Sequence, residues 1–282
     1  MGHIKTKDGT ELYFKEWGTG RPVILMHGWP LSADSWDFQA MDIAEAGFRV
    51  IAYDRRGFGR SGQPWTGYEY DTLSDDLASV LEQTVARDAT IIGFSMGGGE
   101  VARYMSRHFA KDVVQAVLVS SVVPFMLKTN DNPTGVDPSV FEGMTEAIKQ
   151  DRAKFFTGFF KDFYSGDSTS GPVSQEVLEW SRSVAMQAGL KATLECAHAF
   201  ASTDFRPDLP AFSVPTLIVH GTGDKTVPID ASGRQAAKMI ANSHLIEYDG
   251  APHGLFATHG AQLSKDLIDF LKRHDLVEAL KR

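Results

Sequence analysis

Residues 89–109 read ATIIGFSMGGGEVARYMSRHF, and this stretch decides the fold. Its first part, ATIIGF (89–94), is a short apolar run typical of a buried strand, and a helical pattern follows it directly. GFSMG (93–97) lies at the junction and fits the pattern G-x-S-x-G. A tight strand-to-helix turn holds such a serine in a strained backbone conformation, and the two glycines avoid a steric collision. We therefore predict Ser95 as a nucleophile, with a simple helix-capping serine as the alternative.

The chain on both sides of this stretch alternates strand and helix signals. Strands are predicted at 2–8, 10–17, 22–27, 48–54, 89–94, 113–120, 216–221 and 243–249, the first two joined by a turn at Asp8-Gly9. Helices are predicted at 36–46 (with Gly47 as C-cap), 71–85, 95–109, 230–241 and near 256–273. This alternation predicts the α/β class, with an eight-stranded, mostly parallel sheet flanked by helices on both faces.

The pattern changes between Pro124 and Pro210. Strand-like runs vanish there, and the segments 155–164 and 177–200 look helical and are rich in aromatic residues. We predict a helical cap at 124–210, inserted after the sixth strand, and a core formed by 1–123 and 211–282. Predicted members of an apolar substrate pocket, several of which could equally belong to the interior of the cap, are Pro30, Phe125, Phe141, Phe159, Phe160, Phe163 and Val227.

An acid and a base are expected after later strands, in that order along the chain. TLIVHGTGDKTVP (216–228) supplies Asp224, and LIEYDGAPHG (245–254) supplies His253. Both positions follow the carboxyl ends of strands, where ligands bind in sheets of this kind. A serine hydroxyl needs a base within hydrogen-bond reach, so His253 would take its proton and Asp224 would orient the histidine.

The chain contains other histidines and acids that could take the same roles. His27 and His220 end strands beside glycines and fit packed, hydrogen-bonded structural histidines. The remaining candidate acids fit helix caps or solvated charges better, and they are Asp204, Asp208, Asp230 and Asp249. His253 as a turn histidine and Asp224 as an Asx-turn residue are the plain alternatives to catalytic roles.

An oxyanion hole needs backbone N–H groups that point at developing negative charge. The N–H of Met96 stands at the start of the helix that follows Ser95, where the helix dipole favours negative charge. The loop HGWP (27–30) follows the third strand and offers the N–H of Trp29 as the second donor. The Trp29 indole could also form a wall of the acyl pocket or simply pack in the interior.

Composition and the missing motifs exclude several classes of function. The 282 residues carry a net charge of −8 and no Lys/Arg-rich run, which argues against nucleic acid as a partner. The N-terminus lacks a signal-peptide pattern, no apolar run reaches about 18 residues, and there is one cysteine, so a cytoplasmic location is predicted. No metal-binding motif and no strand-to-helix GxGxxG occur, so no metal or cofactor is expected. The arginines of YDRRGFGRS (53–61) lack P-loop spacing and are expected to form structural hydrogen bonds.

Five motifs in order, HGWP, YDRRGFGRS, GFSMGG, HGTGDKTVP and APHG, resemble those of the α/β-hydrolase superfamily. The set is most similar to the cofactor-free bacterial haloperoxidases, also called perhydrolases, and their aryl esterase relatives. The resemblance implies Ser95, Asp224 and His253 as triad and Trp29 and Met96 as oxyanion hole. Ser95 stands where dehalogenases and many epoxide hydrolases have aspartate, which argues against both. Relatives often form homo-oligomers, which is implied here only by resemblance.

Pro30 carries the perhydrolase part of the expectation. Perhydrolase-like members resemble this sequence in having proline after the oxyanion residue, where it fixes φ and lacks an N–H. Its effect would be to move the Trp29 carbonyl toward attacking peroxide. The expected function is a serine carboxylesterase or aryl esterase that acts on small esters through an acyl-enzyme, with perhydrolase activity toward hydrogen peroxide. A lactonase or amidase with the same triad and a non-catalytic ligand receptor on the same fold are the alternatives.

Overall fold

The computed structural model describes residues 2–165 and 173–280. One eight-stranded sheet forms its centre, in the order β1-β2-β4-β3-β5-β6-β7-β8. The strands are β1 Gly2–Lys5, β2 Glu11–Trp17, β3 Pro22–Met26, β4 Arg49–Tyr53, β5 Ala89–Phe94, β6 Val113–Val119, β7 Thr216–Gly221 and β8 Ser243–Tyr248. β1 and β2 pair antiparallel, β2 pairs antiparallel with β4, and every other neighbour is parallel. The predicted α/β class and mostly parallel sheet are confirmed.

The central strands are apolar because helices cover both faces of the sheet. All residues of β3, β5 and β7 are buried, as expected of parallel strands between two helical layers. At the antiparallel edge, Gly9 has φ +87° in the β1–β2 turn, and Asp8 Oδ1 accepts hydrogen bonds from Thr6 Oγ1 and the Thr10 N–H. The short Asp-Gly signal therefore predicted this hairpin correctly.

The helices follow the alternation expected from the sequence. They are α1 Asp37–Glu45, α2 Tyr70–Gln83, α3 Met96–Arg107, α4 Pro138–Phe163, α5 Gln175–Gln187, α6 Leu190–Ser202, α7 Gly233–Met239, α8 Leu255–Thr258 and α9 Gly260–Leu280. Gly47 follows α1 with φ +99°, as predicted for a C-cap. The helix predicted at 230–241 is shorter, because Ser232 is non-helical and separates a 3₁₀ turn at Ile229–Ala231 from α7. None of the described helices is long and apolar enough to cross a bilayer.

Helices α4, α5 and α6 lie between β6 and β7 in the chain. The extended pairing described in this stretch consists of isolated bridges, Leu127 with Val136 and Thr129 with Asn132. α4 bends at Asp151, whose backbone is non-helical (φ −158°, ψ 87°). The division into a core and a cap at 124–210 stays a prediction, and 166–172 of that range lie outside the described residues.

Candidate active site

Ser95 occupies a sharp turn between β5 and α3. Its backbone has φ +54° and ψ −117°, a conformation that is costly for a residue with a side chain. A Cβ at Gly93 would lie 2.3 Å from the Gly97 carbonyl oxygen, and a Cβ at Gly97 would lie 2.6 Å from the Met26 carbonyl oxygen. Glycine is therefore required on both sides of the serine, because the turn brings backbone against backbone.

The structure brings Ser95, His253 and Asp224 together. His253 Nε2 lies 2.9 Å from Ser95 Oγ, and His253 Nδ1 lies 2.7 Å from Asp224 Oδ2. Asp224 follows β7 and His253 follows β8, and these strands pair in parallel through Gly221 and Tyr248 at their ends. All three side chains are buried. The arrangement has the hydrogen-bond order of a nucleophile, a base and an orienting acid.

The Asp224 carboxylate is held from both of its oxygens. Oδ1 accepts hydrogen bonds from the backbone N–H groups of Thr226, at 2.9 Å, and Val227, at 2.7 Å. Burial alone would raise the pKa of Asp224, but the charge of His253 and hydrogen bonds from His220 and His253 lower this pKa to about 2. Asp224 is therefore ionised at neutral pH and can stabilise a protonated His253.

The loop HGWP and the start of α3 flank the serine. A Cβ added to Gly28 would lie 3.0 Å from Ser95 Cβ, so this loop lies directly against Ser95. Met96 is the first residue of α3, and both Trp29 and Met96 are buried. The Trp29 indole donates a 3.0 Å hydrogen bond to the Thr193 carbonyl of α6, which fixes the side chain. Trp29 follows Gly28 and Met96 follows Ser95 in the chain, so the two predicted oxyanion residues belong to the segments that meet at Ser95.

A cavity of about 530 Å³ with a mainly apolar wall opens beside Ser95. Of the predicted pocket residues, four lie on its wall together with the serine, and these are Trp29, Phe141, Phe159 and Val227. Phe141, Met144, Phe155 and Phe159 reach it from α4 at helical spacing. Met144 and Phe155 are not among the predicted pocket residues, and their helical spacing from Phe141 and Phe159 is the signal in the sequence that identifies them.

Four predicted pocket residues do not line this cavity, which corrects the expectation. Phe160 follows Phe159 on α4 but faces about 100° away, and it packs on Phe163 and Tyr164. The guanidinium of Arg206 lies 5.1 Å from the centre of the Phe125 ring. Pro30 is buried in the HGWP loop, and Phe163 is buried against the His253 ring.

Aromatic rings surround the imidazole of His253. The ring centre of Phe94 lies 5.1 Å and that of Phe163 lies 4.8 Å from the ring centre of His253. The Gly254 N–H also donates a 2.9 Å hydrogen bond to the Phe163 carbonyl at the end of α4. The last turn of α4 therefore fixes the loop that carries His253, a role that the aromatic pattern alone could not reveal.

A buried ion pair connects the HGWP loop to α3. Arg55 donates through Nε to Glu100 of α3, at 2.5 Å, and through Nη2 to the His27 carbonyl, at 2.6 Å. The Arg55 N–H donates to His27 Nε2 at 2.9 Å, and the Tyr53 hydroxyl donates to Glu100 at 2.6 Å. His27 Nδ1 lies 2.9 Å from the Gly28 carbonyl oxygen, so both ring nitrogens of His27 are occupied in structural hydrogen bonds. The sequence predicted structural bonding for this arginine motif but not the Glu100 partner.

Removing the charge of Glu100 should destabilise the fold strongly. In Glu100→Gln the buried Arg55 loses its counter-ion, and we expect the free energy of unfolding to fall by about 3–5 kcal/mol. Glu247→Gln is the matched control, because Glu247 pairs with Arg234 on the surface and should cost at most about 1 kcal/mol. Urea denaturation of both variants measures this difference, and equal losses would contradict the assigned role of the buried pair.

The alternative acids lie in other contacts. Asp208 accepts hydrogen bonds from Arg103 and Ser106, and Asp204 accepts from Arg206. Asp230 and Asp249 lie at the surface. Asp230 accepts a hydrogen bond from Arg234, and Asp249 accepts one from Thr222. Within the described part of the chain, no group of three or more His, Cys, Asp or Glu side chains is placed to hold a metal ion.

Comparison with known proteins assigns the family. The family model described as "alpha/beta hydrolase fold" matches residues 21–260. The chain is 43% identical to a non-heme chloroperoxidase from Streptomyces lividans, over 96% of this chain and 100% of that protein. It is 41% identical to a bifunctional esterase/perhydrolase from Acinetobacter calcoaceticus, with the same coverage. The crystal structure of a bromoperoxidase from Bacillus anthracis matches with a TM-score of 0.93 and 44% identity, over 96% of this chain and 99% of that one. The chain therefore belongs to the α/β-hydrolase family.

Proposed function

We propose that this protein is a serine esterase that acts on small esters through an acyl-enzyme and also has perhydrolase activity. The hydrogen-bonded line from Ser95 Oγ through His253 to Asp224 is the observation that carries the proposal. Relatives that are 41–43% identical and are named as a chloroperoxidase and as an esterase/perhydrolase support it. The catalytic roles of the three residues are part of this proposal.

In the first half-reaction, Ser95 Oγ attacks the ester carbonyl carbon and His253 Nε2 takes the hydroxyl proton. The ionised Asp224 stabilises the imidazolium that forms, and the N–H groups of Trp29 and Met96 bind the oxyanion. The carbon–oxygen bond to the alcohol then breaks, and the leaving alcohol takes the proton from His253. The acyl group remains on Ser95 as an ester.

In the second half-reaction, water or hydrogen peroxide attacks the acyl group. His253 takes the proton of the attacking molecule and returns it to Ser95 Oγ as the acyl–serine bond breaks. Water gives a carboxylic acid, and peroxide gives a peracid, which oxidises halide outside the protein. Peroxide supplies the two oxygens of the O–O unit and the acyl group keeps its carbonyl oxygen, so the exchange involves no redox step on the protein.

The shape of the cavity supports small acyl or aryl esters as substrates. Its mainly apolar wall, with the Trp29 and Phe159 ring centres 5.4 Å apart, suits short alkyl and aryl groups. A lactonase or amidase would use the same three side chains, so the substrate has to separate these alternatives. The cytoplasmic location, the cofactor-free chemistry and a homo-oligomeric state stay predictions of the sequence.

One experiment compares phenyl acetate hydrolysis with bromination that depends on acetate and peroxide. An enzyme of the proposed kind hydrolyses phenyl acetate over many turnovers and brominates when peroxide is added. A burst of chromophore from an activated acetate ester detects the acyl-enzyme. A ligand receptor would give at most one slow turnover, and a lactone or an amide hydrolysed far faster than phenyl acetate would overturn the esterase assignment.

Replacing Pro30 with leucine should lower the ratio of perhydrolysis to hydrolysis by roughly tenfold, the size of one lost hydrogen bond. Leucine frees φ and restores an N–H, so the Trp29 carbonyl would leave the position where it meets peroxide. The ratio of peracid to acetic acid formed from one acyl-enzyme measures the effect. Pro228→Leu changes a proline that also lies on the cavity wall but belongs to the loop after β7, and it should change both products in parallel. An unchanged ratio in Pro30→Leu contradicts the role of this proline.

A further inference from the structure

A second histidine contacts the carboxylate that faces His253. His220 is the penultimate residue of β7 and its side chain is completely buried. Its Nε2 atom lies 2.9 Å from the Val227 carbonyl oxygen and 3.3 Å from Asp224 Oδ2. The sequence suggested a packed structural histidine at this position, but the contact with Asp224 gives its ring a more specific task.

The hydrogen-bond partners determine which nitrogen of His220 carries hydrogen. The ionised Asp224 and the Val227 carbonyl are acceptors only, so Nε2 must carry the hydrogen, which it donates to the Val227 carbonyl and presents to Asp224 Oδ2 at the longer distance of 3.3 Å. Nδ1 of His220 is buried and has no hydrogen-bond partner among the described residues. It faces Gly233, where an added Cβ would lie 2.8 Å from it. An N–H at Nδ1 would be buried without a partner, so the tautomer with hydrogen on Nε2 is favoured over the one with hydrogen on Nδ1.

His220 completes the set of contacts that orient Asp224. Two backbone N–H groups hold Oδ1, from Thr226 and Val227, while His253 and His220 both direct nitrogen atoms at Oδ2. The same Nε2–H also contacts the Val227 carbonyl, and Val227 lies on the wall of the cavity. One side chain therefore ties the acid to the loop that carries it, within the interior of the protein.

We propose that His220 is a positioning residue that holds the Asp224 carboxylate in the orientation in which Oδ2 accepts the Nδ1–H of His253. His220 does not line the cavity beside Ser95, so it acts through Asp224 and not on the ester. The proposal rests on the proposed function, because the orientation of Asp224 affects turnover only when His253 acts as the base.

Two substitutions of His220 separate this role from simple packing. His220→Leu fills part of the space but removes the donor, and we expect kcat to fall about 10- to 100-fold with a much smaller change in KM. His220→Gln keeps an amide N–H near the position of Nε2 and should recover most of kcat. Leu217→Ala is the matched control, because it removes packing from the buried interior of the same strand without touching Asp224.

The test combines kinetics with a signal that does not depend on turnover. kcat and KM are measured with phenyl acetate, and the proton on His253 Nδ1 is observed by NMR as a downfield resonance without substrate. His220→Leu should lower kcat and move this resonance, His220→Gln should restore both, and Leu217→Ala should lower only the stability.

Two outcomes overturn the proposal. His220→Leu could keep both kcat and the resonance of the wild-type protein. Alternatively, His220→Leu and Leu217→Ala could lose activity alike while the resonance stays in place, which would show a packing role. A third outcome separates the two proposals. If the wild-type protein hydrolyses no ester while His220→Leu still moves the resonance, the proposed function is rejected and the contact of His220 with Asp224 is supported.

Discussion

Replacing Ser95 with alanine is expected to lower kcat for phenyl acetate about a millionfold, close to the uncatalysed background. The substitution removes the only oxygen that His253 Nε2 contacts at 2.9 Å among the described residues, so no acyl-enzyme can form. Alanine keeps the same backbone requirements as serine at φ +54°, and the turn between β5 and α3 should persist. Steady-state hydrolysis and the chromophore burst measure the loss, and urea denaturation checks the fold.

Ser120→Ala is the matched control for this substitution. Ser120 is also buried at the end of a strand, directly after β6, and has a positive φ of 44°. It lies in neither the hydrogen-bonded line nor the cavity wall, so its removal should leave kcat nearly unchanged. If Ser95→Ala retained the burst, or if both variants lost activity equally, Ser95 would not be the nucleophile.

Asp224→Asn is expected to lower kcat about 10⁴-fold in a folded protein. Because the N–H groups of Thr226 and Val227 hold Oδ1, the amide oxygen must take that place. The amide NH₂ then points at His253 Nδ1, which has to become an acceptor. The hydrogen of the neutral imidazole moves to Nε2, and this nitrogen can no longer take the proton of Ser95.

The pH dependence and a control make this prediction specific. Asp249→Asn changes a carboxylate at the same edge of the sheet that contacts only Thr222 among the described residues, so kcat should stay close to that of the wild type. The loss in Asp224→Asn should shrink at high pH, where hydroxide can replace the missing base. Equal activity of Asp224→Asn and the wild-type protein at neutral pH would remove Asp224 from the mechanism.

The sequence predicted the parts of this molecule that depend on neighbouring residues. The turn at Ser95 follows from the two flanking glycines, since any Cβ there would collide with backbone atoms. The hairpin at Gly9 and the C-cap at Gly47 are also local features, because both positions need a positive φ, which glycine adopts easily. Asp224 and His253 were proposed from chain order and strand ends alone, and parallel pairing of β7 with β8 explains why strand ends are informative.

The sequence could not predict the contacts that depend on how the chain folds in three dimensions. Glu100 looks like an ordinary helix residue until the fold places it beside Arg55, and nothing local marks that pair. The sequence also does not show which face of α4 meets the cavity. Phe160 is therefore predicted on the cavity wall, whereas in the structure its ring packs on Tyr164. The contact of His220 with Asp224 requires the turn after β7 to fold back, which periodicity does not encode.

The end of α4 has a consequence for engineering by segment exchange. Phe163 places its ring against His253 and its carbonyl accepts a hydrogen bond from the Gly254 N–H, so part of the surroundings of His253 comes from the helices between β6 and β7. Grafting the corresponding helices from a relative with a different residue here would alter turnover together with substrate choice. A chimera meant to change only selectivity should therefore place its crossover point before Phe163 and keep the last turn of α4 from this protein.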